Sequence, residues 1–121
     1  MKIYTIGYQA ITVAQLLNII SEKGIELLID VRSIPYSWRP EFNKNRLMEA
    51  LGEKYLWMGK ECGGKTGVTP ECYKQLQQLG KKSILLMCME ADPAQCHRSE
   101  VSAHLASLTG GKVIHITKLP A

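Results

Sequence analysis

Apolar positions recur along this chain in two rhythms, and their alternation lays out five strands separated by helices. Lys2–Tyr8 (K-I-Y-T-I-G-Y) alternates around β-branched and aromatic residues, as a strand does. Thr12 and Gln15 then form a capping pair ahead of the helical stripe Val13, Leu16, Leu17 and Ile20, which Gly24 ends. Glu26–Arg32 (E-L-L-I-D-V-R) predicts a second strand, apolar until Asp30 and Arg32 at its end. Asn43 caps a short helix through Leu51, and Tyr55–Met58 predicts a third strand. Pro70–Leu79 predicts a helix ended by Gly80. Ile84–Met87 is a continuous apolar run of the kind buried on both faces of a parallel sheet. Asp92, Pro93 and Gln95 predict the N-cap, first position and capping-box partner of a helix reaching about Leu108, ended by Gly110 and Gly111. Lys112–Thr117 predicts the fifth strand.

Strands alternating with helices imply right-handed crossovers, hence a three-layer α/β/α fold around a mainly parallel five-stranded sheet in Rossmann-like or flavodoxin-like order. The 121 residues fit a single α/β domain over residues 1–121. In such a sheet every strand delivers its last residues to one edge, where these folds bind ligands. Gly7 and Tyr8, Asp30 and Arg32, Glu61, Cys88 and Glu90 converge there.

Composition narrows the reading. No segment has the roughly 18 apolar residues of a membrane span. The strand at Lys2–Tyr8 leaves no place for a signal peptide, so the chain is expected in the cytoplasm, with Cys62, Cys72, Cys88 and Cys96 as free thiols. The net charge of +4 permits a small anionic ligand without the charge concentration usual in nucleic-acid binders.

The richest stretch is Cys88–Ser99. Cys96 falls in the first or second turn of the predicted helix, where the helix dipole and Arg98 both favour a thiolate. It is the candidate nucleophile, whereas Cys88 at a strand end reads as inert core. His97 sits on the inward stripe His97, Val101, Leu105, Leu108, either orienting a thiol or carboxylate or serving as a satisfied core histidine. His104 reads as core. Arg98 opposes the dipole of its helix, which suggests a specific partner. The candidate catalytic set is therefore Cys96, His97, Glu90 and Asp30. The candidate substrate-binding set is Arg32, Arg39, Arg98, Tyr8 and Glu61. The loop Ser33–Asn43 places Tyr36, Trp38, Arg39 and Phe42 between prolines, as a wall or lid over the edge.

Other chemistries fit less well. Cys88, Cys96, His97 and Glu90 offer metal-ligand types, but their spacing matches no zinc pattern, and no metal or cofactor is expected. Gly59–Thr66 satisfies G-x-x-x-x-G-K-[ST], yet Gly67, Val68, Thr69 and Pro70 intervene before the helix that should hold the phosphate. Rhodanese-like domains also end an apolar strand in Asp-x-Arg and close a Cys loop on Arg-Ser. Here Cys96 leaves no room for an anion cradle before Arg98, and Cys88 leaves too much.

The opening Y-T-I-G-Y, then D-V-R-S-I-P-Y-S-W-R-P-E-F-N, E-C-G-G and C-M-E-A-D-P-A-Q-C-H-R-S resemble the domain of unknown function 488 family over nearly the whole chain. The family pattern usually has an apolar residue where this chain has Cys62, and it does not require Lys65-Thr66. The resemblance implies a small cytosolic α/β domain of prokaryotic type and brings no activity with it. The residues point to a small enzyme or binding domain for an anionic ligand, acting at the carboxyl edge and drawing on a thiol. The alternative is a nucleic-acid or protein-binding module without catalysis, using the aromatic-arginine loop.

Overall fold

The apolar run centred on Leu85 becomes β4 (Ser83–Cys88), buried at every position because both its faces are covered. The computed structural model describes residues 1–65 and 67–117. In it β4 is the middle strand of a five-stranded sheet, between β1 (Lys2–Gly7) and β2 (Leu27–Asp30). β3 (Tyr55–Trp57) flanks β2, β5 (Lys112–Ile116) flanks β1, and every pairing is parallel. The expected parallel α/β/α architecture is thus the one that forms. Its strand order, β3-β2-β4-β1-β5, is neither of the two orders expected, since both keep β1 beside β2. The longest fully buried strand has been inserted between them, where it has no free edge.

Helices α1 (Val13–Glu22) and α2 (Lys44–Leu51) cover one face, packing Leu16, Ile19, Ile20 and Leu47 on Tyr4, Ile6, Leu28, Leu85 and Met87. The other face carries α3 (Gly59–Cys62), α4 (Pro70–Gln78) and α5 (Arg98–Thr109). There Cys62, Cys72, Leu76, Val101 and Leu105 pack on Ile3, Ile29, Ile84 and Leu86. No helix among the described residues is long and apolar enough to cross a membrane.

Local chemistry explains several boundaries. Thr12 Oγ1 accepts from Gln15 N at 3.1 Å while Gln15 Oε1 accepts from Thr12 N at 2.9 Å, the capping box that starts α1. Asn43, expected to cap α2, instead accepts from Ser37 N at 2.5 Å, so its side chain folds the preceding loop. After β4, Asp92 caps only a 3-10 turn, Pro93–Gln95, accepting from Ala94 N at 3.0 Å. Cys96 then has extended backbone (φ −136°, ψ 141°), and α5 starts at Arg98. Cys96 therefore lies in a link ahead of the helix and not in its first turns. His104, expected in the core, is exposed and packs against Tyr73 with the rings tilted at 55° and their centroids 4.3 Å apart. One helical position separates it from the buried Leu105 that takes the inward place.

Candidate functional site

The connections leaving β1 and β2 turn toward the face of α1 and α2, whereas the connection leaving β4 turns toward α5 on the other face. The loops part at this point and open a cleft at the carboxyl edge of the sheet. It encloses about 370 Å³ and is lined by Tyr8, Arg32, Ser33, Ile34, Tyr36, Gly64, Lys65, Cys88, Met89, Glu90 and His97. Two wider depressions, near Gly24 and between α4 and α5, are lined by no buried ionisable side chain. The cleft depends on Gly7: a Cβ there would stand 1.7 Å from the Glu90 carbonyl oxygen, so only glycine lets the two loops approach.

One wall is built on Asp30, which is fully buried at the end of β2. Its Oδ1 accepts from Arg32 Nε at 2.8 Å, and its Oδ2 accepts from Arg32 Nη2 at 2.6 Å and from the Tyr55 hydroxyl at 2.5 Å. Arg32 Nη2 also donates to the Phe42 carbonyl at 2.8 Å, and the Tyr8 ring lies 5.2 Å from the guanidinium. Burial works against the charge on Arg32, but the Asp30 carboxylate, helped by Tyr8, outweighs it and raises the guanidinium pKa. Burial and the Asp30 charge together push the Tyr55 hydroxyl far above its ordinary value. Arg32 Nη1 is buried without a hydrogen-bond partner. Asp30 thus has both oxygens committed, and Arg32 forms part of the cleft lining.

The floor is Cys88, 2% exposed. Arg98, fully buried, donates through Nη1 to Cys88 Sγ at 3.0 Å and to the Glu90 carbonyl at 2.6 Å, and through Nη2 to the Ala91 carbonyl at 3.2 Å. This accounts for a cation at the start of α5, because its fork reaches back to the carbonyls of the β4 loop. Burial lowers the Arg98 pKa, against the opposing charges of Glu90 and Asp92. Glu90 Oε2 lies 3.5 Å from Cys88 Sγ. On the far side of Cys88, His97 Nε2 donates to the Val31 carbonyl at 3.0 Å, and its Nδ1 stands 3.8 Å from Cys96 Sγ.

The cysteines correct the sequence reading. All four are bonded, Cys62 to Cys72 and Cys88 to Cys96, with no free cysteine among the described residues. Packing of α3 on α4 brings the first pair to a Cα separation of 5.2 Å, deep in the core. The β4 loop folds Cys96 back onto Cys88, a juxtaposition that spacing alone does not reveal. Cys88, expected to be inert, is the one that lines the cleft and receives the guanidinium. Cys88, Glu90 and Cys96 hold their ligand-type atoms within 4.8 Å of one another. The adjacent Arg98 charge and the bond between the two sulfurs both disfavour a cation there.

Of the residues singled out from sequence, Tyr8, Arg32, Tyr36, Cys88, Glu90 and His97 line the cleft, while Asp30, Cys96 and Arg98 stand directly behind lining groups. Arg39 and Glu61 are not brought in. Arg39 donates to the carbonyls of Tyr8, Gln9 and Ile11 and pairs with Glu41, pinning its loop to the end of β1. The Glu61 carbonyl accepts from both Thr69 N and Thr69 Oγ1, closing the loop between α3 and α4. In the P-loop-like stretch, Gly59–Cys62 form a helical turn, Lys65 N donates to Ser33 Oγ at 2.9 Å, and α4 starts only at Pro70. Thr66 of that motif lies outside the described residues. The cleft residues that sequence reasoning missed are Ser33, Ile34, Gly64, Lys65 and Met89. Their only sequence signal is position, just beyond a strand end or in the glycine-rich loop.

Residues 12–71 match the family model described as domain of unknown function DUF488. No curated protein matches, and no solved structure does. The matched stretch holds Asp30, Arg32 and Tyr55 and stops before β4.

Proposed function

The chain belongs to the DUF488 family, and on that premise we propose that its cleft binds a small anionic ligand bearing an apolar part and acts on it through the Cys88 thiol. The observation that carries this reading is Arg32. Its charge is locked by Asp30, it is only 7% exposed, it forms part of the cleft wall, and one of its nitrogens is left without a hydrogen-bond partner. A buried donor without an acceptor is costly, and a ligand oxygen would remove that cost. Lys65 adds a second cation at the rim, and exposed Ile34, Tyr36 and Met89 give the mouth an apolar lip. Arg98 beside Cys88 favours the thiolate once the sulfur is free, and Glu90 is placed to take its proton.

Titration calorimetry with inorganic phosphate and phenyl phosphate tests the reading. Saturable binding is expected, tighter for phenyl phosphate, and weakened roughly tenfold or more in Arg32→Lys, which keeps charge but loses the fork. No saturable binding of either anion, or binding untouched by Arg32→Lys, would refute it.

A second reading, docking of nucleic acid or protein, rests on Trp38, which is 86% exposed beside Tyr36 on the loop over the cleft. It requires salt-dependent quenching of Trp38 fluorescence by an oligonucleotide, lost in Trp38→Ala.

A further inference from the structure

We infer that Cys88 and Cys96 are a working dithiol–disulfide couple whose oxidising substrate is a small anionic disulfide. The anionic class of the substrate rests on the cleft reading above; the couple itself rests on the placement of a proton acceptor beside each sulfur. A carbonyl oxygen only accepts, so the hydrogen bond between His97 Nε2 and the Val31 carbonyl fixes the proton on Nε2. In the neutral ring Nδ1 is then a bare lone pair, and it is the nitrogen that faces Cys96 Sγ, at 3.8 Å. Gly64 packs against the same ring, where a Cβ would come within 3.0 Å of Nδ1. Cys88 has its own acceptor in Glu90 Oε2 and a cation in Arg98 Nη1. The Cys62–Cys72 pair has a different setting: both residues, one on α3 and one on α4, are fully buried in the apolar layer against the sheet.

The chemistry closes. In the reduced protein Glu90 takes the Cys88 proton, and the thiolate attacks one sulfur of R–S–S–R. The substrate S–S bond breaks, a Cys88–S–S–R bond forms, and the first RS⁻ leaves as R–SH with the proton held by Glu90. His97 Nδ1 then takes the Cys96 proton, and Cys96 Sγ attacks Cys88 Sγ. The Cys88–Cys96 bond forms, and the second RS⁻ leaves as R–SH with the proton from His97. Two electrons pass from the protein to the substrate, giving two thiols and the bonded pair seen in the structure. A small dithiol returns the pair to its reduced form by the reverse exchange.

The test exposes the reduced full-length protein to glutathione disulfide, which is anionic, and to bis(2-hydroxyethyl) disulfide, which is neutral, with mass-spectrometric mapping. In unsubstituted protein, Cys88–Cys96 is expected to close with release of two thiols while Cys62–Cys72 stays as it was. In Cys96→Ser, one glutathione is expected to remain on Cys88, and in Cys88→Ser none on Cys96. The anionic disulfide should react at least about tenfold faster. Failure of the pair to close in unsubstituted protein, or glutathione captured on Cys96, overturns the couple whatever the cleft binds. Closure at equal rates with both disulfides overturns the anionic substrate class, and with it the cleft reading, while the cysteine roles stand.

Discussion

Asp30 binds Arg32 three times, through its side-chain Nε and Nη2 and again through the Arg32 main-chain N–H, which donates to Oδ1 at 3.2 Å. The two residues are two positions apart, so the carboxylate fixes both the backbone leaving β2 and the direction of the cation. Removing one member of such a buried pair strands the other charge. Asp30→Ala is expected to lower stability by about 3–5 kcal/mol, read as a fall in the urea midpoint. A loss below about 1 kcal/mol would mean that the pair behaves as an exposed one.

The Tyr55 hydroxyl is the remaining donor to Asp30. Tyr55→Phe should cost about 1.5–3 kcal/mol, since the lost hydrogen bond is to a charged group. Burial, then the Asp30 charge, raise the Tyr55 pKa in the folded protein above the unfolded value near 10. The folded state then holds this proton more tightly than the unfolded state does. Its contribution is fully present below about pH 10 and is lost as pH climbs beyond. Urea midpoints from pH 9 to 11 should fall in the parent protein and fall less in Tyr55→Phe; parallel slopes would refute the assignment.

Gly7→Ala should be among the most harmful small substitutions. The added methyl meets the Glu90 carbonyl and not a flexible side chain, so the β4 loop itself must move. The expected cost is about 1–3 kcal/mol, accompanied by weaker phenyl phosphate binding. Gly80→Ala is the comparison: φ is +63° and nothing lies within 4 Å, so only backbone strain is expected and binding should be unchanged.

Arg98→Lys keeps the charge but cannot bridge Glu90, Ala91 and Cys88 as a fork does. Faster amide hydrogen exchange is expected across residues 89–97, with β4 still protected. Unchanged protection of that loop would show that other bonds hold it.

The sequence makes the elements legible where one rhythm is strong and local. The capping box at Thr12 and the buried run of β4 are visible because every determinant lies within a few residues. Strand order is not, because it depends on which strand most needs two neighbours. The Cys96 position is a case of local cues misdirecting: Asp92 and Pro93 do start a helical turn, but it is a 3-10 turn, and the chain extends again before Arg98. Arg39 illustrates the opposite difficulty. A cation in an aromatic loop looks free to bind an anion until the fold sets three main-chain carbonyls around it.

The interleaved sheet also dictates when this chain can fold. Among the described residues β1 pairs only with β4 and β5, which lie more than half the chain away. As the chain leaves the ribosome, its first strand must wait without a partner until residues 83–88 have emerged, and meanwhile the β2–β3 ladder is the one pairing available among the sheet's strands. Contacts of such long sequence separation slow folding, because loop entropy is lost before the pairing is gained. The arrival of β4 joins β1 to the β2–β3 ladder and sets Cys88 at the cleft, with Glu90 and Arg98 following in the next residues, so the site has no existence earlier than the sheet that carries it.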